Sequence, residues 1–249
     1  MEILKDIEYG NGQKLDLYLP DNKSFTTIVY IHGGGMVGCD KGDPNCVDVV
    51  THLVNLGYGV FNLNYSLYPN AKFPSFINDC ALGIKFAFAN LNKYGGNGKI
   101  YVSGQSAGAY IAMMLCLNNN FLKDAGVNPL SISGWISDSG QMSDHFNVQH
   151  FEKGLDPWVQ RITELAPLYY VTPDTKANRM LLIYYSNDML NRKEQNIMLY
   201  NAIKNYDKDF DITQVELKGQ HCDGSCKKDN DGEYPFVKVI DQWIREKQL

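Results

Sequence analysis

The segment KIYVSGQSAGAYIAMMLCL, residues 99–117, predicts a strand, a sharp turn and a helix in direct succession. KIYVSG at 99–104 has the β-branched and aromatic residues of a short strand. The stretch 107–117 is apolar nearly all round, which indicates a helix buried in the middle of the molecule. GQSAG at 104–108 joins the two, and a serine at such a turn is held in a strained backbone conformation that exposes its Oγ. The segment therefore predicts Ser106 as a nucleophile, flanked by glycines where the backbone approaches closely.

Strands and helices alternate on both sides of this segment. Five further runs rich in β-branched or aromatic residues predict strands: TTIVYIH (26–32), GVFNLNY (59–65), SISGWIS (131–137), MLLIYYS (180–186) and ITQVEL (212–217). Two stripes of apolar residues have helical spacing: Ile77, Cys80, Ile84, Phe88 and Leu91, and Phe236, Val239, Ile240, Trp243 and Ile244. Such alternation predicts an α/β fold, with a mostly parallel, twisted sheet of about eight strands and helices on both faces. LKDIEY (4–9) and KLDLYLP (14–20) predict an antiparallel hairpin at the sheet edge.

Residues 138–168 interrupt the alternation with a long insertion, DSGQMSDHFNVQHFEKGLDPWVQRITELAPL. Its helical fragments and aromatic residues argue against disorder, so we expect a small cap on a single domain that spans residues 1–249. Phe146, Phe151 and Trp158 lie in this insertion. They either form an aromatic platform that binds a sugar or phenolic group, or simply pack the cap onto the body.

The charge and hydropathy of the chain exclude several classes of partner. Its 249 residues carry 23 Lys and Arg against 28 Asp and Glu, a formal net charge of −5. Proteins that bind nucleic acid through its phosphates concentrate Lys and Arg, so no nucleic-acid partner is expected. No window approaches the roughly 18 consecutive apolar residues of a membrane span. The N-terminal segment has no apolar run typical of a secretory signal, so we expect a cytoplasmic protein that does not bind a membrane.

The cysteines are expected to be scattered, reduced thiols. They do not have the paired CxxC spacing of a zinc site, so the sequence predicts no metal site: Cys39, Cys46, Cys80, Cys116, Cys222 and Cys226. The alternative is a metal-binding or redox pair formed by Cys222 and Cys226, which share a short acidic loop.

The motif HGGG at 32–35 directly follows a predicted strand. Consecutive glycines let the backbone turn so that free N–H groups point into a cavity. Together with the N–H of Ala107, such donors stabilise the negative oxygen of a tetrahedral intermediate. The alternative is a flexible phosphate-binding loop, but the spacings GxGxxG and GxxxxGKS/T are both absent. We therefore expect an oxyanion hole, with His32 bracing the backbone rather than transferring protons.

A serine nucleophile needs a base and an acid that orients the base. His221 follows the last predicted strand, at the carboxyl edge of the sheet where open α/β folds place their sites. Asp188 follows the strand at 180–186 and reaches the same edge, while Asp138, which ends the preceding strand, is the rival acid. Ser106, Asp188 and His221 then occur in the chain order of α/β-hydrolases.

Over most of its length the sequence resembles the hormone-sensitive-lipase-like esterase branch of the α/β-hydrolases. HGGG (32–35) resembles the oxyanion loop of that branch, and GQSAG (104–108) resembles its GDSAG elbow. NYSLYP (64–69) with KFP (72–74) resembles its DYRLAPE…FP segment, and APL (166–168) resembles its SPL stretch. The resemblance implies an α/β-hydrolase fold, a triad and an oxyanion hole on these positions: Ser106, Asp188 and His221, with donors from Gly34, Gly35 and Ala107.

The sequence departs from this branch at the elbow and in the oxyanion loop. Gln105 replaces the acidic residue common in the elbow, and Met36 stands where many relatives have Trp or Phe. We expect both residues to contact the substrate, with Met36 at the wall of the acyl pocket. The N-terminal cap helices common in the lipase-like members are missing. The chain therefore resembles the compact bacterial carboxylesterases, including acetyl-esterase-like and kynurenine-formamidase-like relatives.

The expected activity is hydrolysis of carboxylic esters through an acyl-enzyme. A short insertion leaves a more open site than a full lipase lid, which favours short, acetyl-like acyl groups on small soluble alcohols, sugars or phenols. The partner is then a small-molecule ester, and this chemistry needs no metal or organic cofactor. Two alternatives stay open: an amidase or arylformamidase that uses the same triad, and a non-catalytic α/β-hydrolase scaffold that binds a ligand. The sequence does not indicate an oligomeric state.

Overall fold

The computed structural model describes residues 1–246; residues 247–249 of the predicted domain lie outside the described residues. The described residues form one sheet of eight strands: β1 (Glu2–Gly10), β2 (Gln13–Leu19), β3 (Phe25–Ile31), β4 (Gly59–Leu63), β5 (Gly96–Gln105), β6 (Gly134–Asp138), β7 (Arg179–Asn187) and β8 (Ile212–Gln220). Their α-helices are α1 (Pro44–Asn55), α2 (Ser75–Asn90), α3 (Ala107–Leu117), α4 (Asn120–Asp124), α5 (Phe146–Lys153), α6 (Arg192–Tyr206), α7 (Asp223–Cys226) and α8 (Pro235–Arg245). None of the helices in this part of the chain is long and apolar enough to cross a lipid bilayer.

The strand order in the sheet is β1-β2-β4-β3-β5-β6-β7-β8. The N-terminal hairpin pairs β1 with β2, and β2 joins β4, in antiparallel fashion. The remaining neighbours pair in parallel. The predicted α/β-hydrolase fold, with a mostly parallel sheet and a hairpin at its edge, is confirmed. Because the strands from β3 to β8 run in one direction, their carboxyl ends share one edge of the sheet.

Apolar helix faces cover the sheet on both sides. α1 and α8 pack on one face, and α2, α3 and α6 pack on the other. Every residue of α3 is buried, as its uniformly apolar sequence predicts. In α8 the predicted apolar stripe is buried apart from Val239, which is half-buried, and Pro235 occupies the first turn. Burying these apolar faces is the main source of stability for such a layered fold.

One strand begins later than its sequence suggests. SISGWIS predicts a strand from residue 131, but Pro129–Ser131 forms a 3-10 turn and β6 begins at Gly134. Proline presets the backbone of the first position of this turn, and the Asn128 side chain accepts a hydrogen bond from the N–H of Leu130 at 3.1 Å. A local capping interaction therefore overrides the β-branched run.

The insertion between β6 and β7 begins after Asp138, which is the last residue of β6 rather than a loop residue. Its helix α5 lies beside the glycine loop, where Asn147 Nδ2 donates to the carbonyl oxygen of Gly35 at 2.7 Å. One turn further along α5, Phe151 stacks on Tyr68 with ring centroids 4.4 Å apart. The insertion thus packs directly against the loop that follows β3.

Candidate active site

Four neighbouring parallel strands place a side chain at the same edge of the sheet. The residues that directly follow β5, β6, β7 and β8 are Ser106, Ser139, Asp188 and His221. These strands are adjacent in the sheet order. Their carboxyl ends therefore bring the four side chains together, at the edge where open α/β sheets hold their sites.

Ser106 occupies a strained turn between β5 and α3. Its φ of 52° and ψ of −109° lie outside the usual regions for an L-residue. A Cβ at Gly104 would lie 2.1 Å from the carbonyl oxygen of Gly108, and one at Gly108 would lie 2.1 Å from that of Ile31. Side chains at these two positions would clash with backbone, which is why the elbow needs glycine there. The N–H of Ser106 donates to the carbonyl oxygen of Asp138 at 2.7 Å and fixes the turn against β6.

The structure brings Ser106, His221 and Asp188 into one hydrogen-bonded chain. Ser106 Oγ lies 2.8 Å from His221 Nε2, and His221 Nδ1 lies 2.6 Å from Asp188 Oδ1. The Asp188 side chain is 1% exposed and that of His221 is 25% exposed, so solvent reaches the base but not the acid. A base between a hydroxyl and a buried carboxylate can accept the hydroxyl proton while the carboxylate stabilises the resulting imidazolium.

Hydrogen bonds surround both oxygens of the Asp188 carboxylate. Oδ1 accepts from the N–H of Met189 at 2.7 Å as well as from His221. Oδ2 accepts from the Ser139 hydroxyl at 2.5 Å and from the N–H of Tyr185 at 3.3 Å. Burial raises the pKa of Asp188, but the hydrogen bonds from His221 and Ser139 outweigh burial and hold the pKa below its ordinary value. Asp188 is therefore an anion at neutral pH.

The glycine loop after β3 is braced by an aromatic contact. Gly34 and Gly35 have φ values of 90° and 64°. His32 stacks on Tyr65 with ring centroids 4.4 Å apart, and the Tyr65 hydroxyl donates to the carbonyl oxygens of His32 and Gly33 at 2.9 Å each. Burial lowers the pKa of His32, so its ring is neutral and supports the loop rather than carrying charge.

This loop lies against the nucleophile elbow. A Cβ at Gly33 would lie 3.2 Å from the carbonyl oxygen of Gln105 and 3.4 Å from Ser106 Cβ. Ala107 is the first residue of α3, and N–H groups in the first turn of a helix have no intrahelical acceptor. The backbone of the glycine loop and the start of α3 therefore lie on either side of Ser106, the placement that an oxyanion hole requires.

Asp138, the rival acid, belongs to a separate buried network behind the elbow. Its carboxyl accepts hydrogen bonds from the Tyr185 hydroxyl at 2.7 Å and the Ser225 hydroxyl at 2.5 Å. Ser225 Oγ in turn accepts from Gln105 Nε2 at 2.8 Å. Burial raises the pKa of Asp138 to about 7, against the opposing effect of these hydrogen bonds. The carboxyl bonded to His221 is that of Asp188.

The buried Asp138 predicts a stability that falls as pH rises. Because its pKa in the folded protein lies above the ordinary value of 3.8, the folded state binds a proton that the unfolded state has released between about pH 4 and pH 7. This group alone lowers the free energy of unfolding by about 3–4 kcal/mol across that window. Asp138→Asn removes the carboxyl that titrates. The free energy of unfolding of the variant minus that of wild type should therefore be larger at about pH 8 than at about pH 4.

Urea unfolding at the two pH values measures this difference. Asp174→Asn, at an exposed position, is the control and should show the same difference from wild type at both pH values. A stability difference between Asp138→Asn and wild type that does not change with pH would contradict the prediction.

Met36 and Gln105 were expected to contact substrate, and the structure gives their side chains other partners. Met36 is fully buried within the apolar core. Gln105 is 8% exposed, and its amide bonds Ser225 and lies 3.4 Å from Cys226 Sγ. A role of these two residues in substrate binding stays a prediction.

The three aromatic residues of the insertion divide between two places. Phe146 stacks with Trp158 at a centroid distance of 6.0 Å, and Phe146 Cζ lies 3.8 Å from where a Cβ of Gly35 would be. Trp158 is 59% exposed. Phe151 instead packs on Tyr68, away from this pair. The half-buried Phe146 and the exposed Trp158 therefore form an aromatic surface that begins beside the glycine loop.

Sequence reasoning did not single out Ser139 or Ser225, which contact the two buried acids. Neither serine lies in a recognisable motif. The available signal for Ser139 was its position two residues after the predicted strand 131–137, the same spacing that Asp188 has after the predicted strand 180–186. Ser225 carries no such signal, because its contact with Asp138 depends on how the short helix α7 packs under the sheet edge.

The six cysteines, all within residues 1–246, are free thiols. Cys222 is buried, which raises the pKa of its thiol, and Cys226 is exposed. In the described part of the chain, no three His, Cys, Asp or Glu side chains are grouped as ligands of a metal ion would be.

A family model described as BD-FAE matches residues 15–150, more than half of the chain. This range includes the glycine loop, the elbow and the start of the insertion. The chain belongs to the BD-FAE family. The BD-FAE match ends before Asp188 and His221, so the family assignment rests on the half that carries Ser106.

Several curated proteins with similar sequences are plant enzymes. Tuliposide A-converting enzyme 2, chloroplastic, of Tulipa gesneriana is 26% identical over 230 residues, which cover 79% of this BD-FAE chain and 58% of that enzyme. Isoprenylcysteine alpha-carbonyl methylesterase ICME of Arabidopsis thaliana is 31% identical over 116 residues, which cover 45% of this chain and 27% of that one. The chain thus spans less than two thirds of the length of these relatives.

Solved esterase structures share the fold of this BD-FAE protein. Esterase B from Lactobacillus Rhamnosis (HN001) superposes with a TM-score of 0.79 at 16% identity, covering 98% of this chain and 84% of that one. A truncated carbohydrate esterase from gut microbiota gives a TM-score of 0.79 at 19% identity, covering 99% and 96%. At these identities the similarity shows a common α/β-hydrolase fold.

Proposed function

We propose that this BD-FAE family protein is a serine carboxylesterase in which Ser106 is the nucleophile, His221 the base and Asp188 the acid that orients the base. The observation that carries the proposal is the continuous chain of contacts, 2.8 Å from Ser106 Oγ to His221 Nε2 and 2.6 Å from His221 Nδ1 to Asp188 Oδ1. The methylesterase and esterase names of relatives and structural neighbours agree with ester chemistry.

In the proposed acylation step, Ser106 Oγ attacks the ester carbonyl carbon while His221 Nε2 takes the hydroxyl proton. The tetrahedral intermediate then collapses, the bond to the alkoxide breaks, and His221 returns the proton to the leaving oxygen. Asp188 stabilises the imidazolium and keeps the Nδ1 proton directed at its own carboxylate. Water completes the cycle by attacking the acyl-enzyme, with His221 accepting a proton from water and returning it to Ser106 Oγ.

The oxyanion hole is proposed to consist of the main-chain N–H groups of Gly34, Gly35 and Ala107. It is supported by the contact between the glycine loop and the elbow, where a Cβ at Gly33 would lie 3.4 Å from Ser106 Cβ. Each such donor typically lowers the barrier by about 3–4 kcal/mol, because it is already oriented when the negative charge develops.

We infer that the substrates are esters of short, acetyl-like acyl groups with small alcohols, sugars or phenols. Residues 138–168 are proposed to act as a small cap, since their helix α5 bonds Gly35 through Asn147. The aromatic surface of half-buried Phe146 and exposed Trp158 begins beside Gly35 and is suited to stacking on a sugar or phenolic leaving group.

Hydrolysis of p-nitrophenyl acetate, butyrate and octanoate tests the ester and acyl-length proposals together. We expect kcat/KM for acetate to exceed that for octanoate by about 10-fold or more, because an acyl site suited to acetyl-like groups would not hold the longer chain in a productive position. A Trp158→Ala variant should lower kcat/KM for phenyl acetate more than for ethyl acetate, which has no ring to stack.

Hydrolysis of amide substrates tests the alternative that the protein is an amidase. If the protein hydrolyses formanilide faster than phenyl formate, it is an arylformamidase and the carboxylesterase proposal is wrong. If it turns over neither esters nor amides, the protein is a binding scaffold. A preference for octanoate would contradict the short-acyl proposal while leaving the esterase chemistry intact.

A further inference from the structure

Ser139 is a fourth polar side chain at the sheet edge that carries the triad. It is the first residue after β6 and is fully buried. Its Oγ lies 2.5 Å from Asp188 Oδ2 and 2.8 Å from His221 Nδ1. It therefore contacts both the acid and the base, on the side of the imidazole opposite to Ser106.

The Ser139 hydroxyl has one proton, so it can donate to only one of Asp188 and His221. An ionised carboxylate can only accept, so the hydroxyl donates to Asp188. His221 Nε2 faces the Ser106 hydroxyl as proton acceptor, which places the ring proton on Nδ1. That N–H then lies between Asp188 Oδ1 at 2.6 Å and the lone pairs of Ser139 Oγ at 2.8 Å. One hydroxyl thus limits rotation of the carboxylate and of the imidazole together.

The backbone of Ser139 is fixed so that the hydroxyl points at this pair. Its φ of 57° lies in the left-handed region, which glycine adopts freely and serine does not. Its N–H donates to the carbonyl oxygen of Ile183 at 2.8 Å, and its carbonyl oxygen accepts from Nη1 of the buried Arg192 at 2.6 Å. The fold thus holds a serine in a conformation where glycine would be unstrained.

We propose that Ser139 is a positioning residue that holds the Asp188 carboxylate and the His221 imidazole in their productive orientation through its hydroxyl. This inference rests on the proposed esterase function. Ser139 acts on the base and acid rather than on the substrate, since both of its side-chain contacts lie on the side of the imidazole away from Ser106.

Ser139→Gly is the most informative variant, because it removes the hydroxyl and suits the observed φ. Thermal stability should be unchanged or higher, while kcat for p-nitrophenyl acetate falls by about 10-fold, the usual effect of one hydrogen bond to a charged group. KM should stay unchanged, because no substrate contact is lost. Ser139→Ala, which keeps the Cβ, should give the same loss of kcat and so exclude added loop flexibility as its cause.

A matched control comes from the same insertion. Ser143 is a buried serine whose hydroxyl donates to Gln160 Oε1 at 2.9 Å and contacts neither the acid nor the base. Ser143→Ala should leave both kcat and KM unchanged.

Loss of kcat at unchanged KM in both Ser139 variants, with Ser143→Ala unaffected, supports the positioning role. An unchanged kcat, or a KM that rises in step with the loss of kcat, overturns it. Activity that survives in Ser106→Ala overturns the proposed function itself, whereas loss of activity in Ser106→Ala with full activity in Ser139→Gly overturns only the role of Ser139.

Discussion

Replacing Ser106 with alanine is expected to lower kcat for p-nitrophenyl acetate by about 10⁵-fold or more, to the level left by the oxyanion hole and substrate binding alone. The reason is that no other hydroxyl lies within hydrogen-bond distance of His221 Nε2 among residues 1–246. Thermal stability should change little, because alanine carries the same backbone strain at φ 52° and leaves no buried group unpaired. Steady-state kinetics checks the loss of kcat, and thermal unfolding checks the stability. Labelling with a fluorophosphonate, followed by intact mass spectrometry, checks that Ser106 is the nucleophile.

Ser103 supplies the matched control. It lies on β5, three residues before Ser106, and its buried hydroxyl has no hydrogen-bond partner in the described part of the chain. Ser103→Ala should therefore keep full activity and take up one label, as the wild type does. Ser106→Ala that still accepts the label, or that retains turnover, would place the nucleophile elsewhere.

The sequence predicts the elements that carry the chemistry because each has its own local signal. The buried helix α3 was visible from its uniformly apolar residues 107–117, and its observed bounds coincide with them. The strands before Asp188 and His221 were visible as β-branched and aromatic runs. Since parallel strands share a carboxyl edge, the chain order of Ser106, Asp188 and His221 sufficed to expect their meeting.

The sequence does not predict contacts that depend on how helices and strands are rotated relative to one another. Ser139 points at Asp188 only because its backbone takes a positive φ held by Arg192, a residue far away in the chain. Gln105 sits in the elbow motif, yet its side chain turns away to bond Ser225 on α7. These directions follow from tertiary packing, which no local pattern of residue types encodes.

Substitutions of Asp188 and Asp138 distinguish the roles of the two buried carboxyls at this sheet edge. Asp188→Asn is expected to lower kcat by about 10³- to 10⁴-fold, because the imidazolium formed during the reaction loses its counter-charge. Both oxygens of Asp188 accept main-chain N–H groups, from Met189 at 2.7 Å and from Tyr185 at 3.3 Å. An asparagine NH₂ would oppose one of these donors in either orientation, so the site is built for a carboxylate and not for an amide.

Asp138→Asn, in contrast, should lower kcat by only about 2- to 5-fold, because its partners are Tyr185 and Ser225 rather than the base. Any effect reaches His221 indirectly, since Ser225 belongs to the short helix α7 that follows it. Kinetics of the two variants, with unfolding curves to show that both are folded, settle which carboxyl orients the base. If Asp138→Asn loses more activity than Asp188→Asn, the acid is Asp138, and the 2.6 Å contact between His221 and Asp188 does not describe the working enzyme.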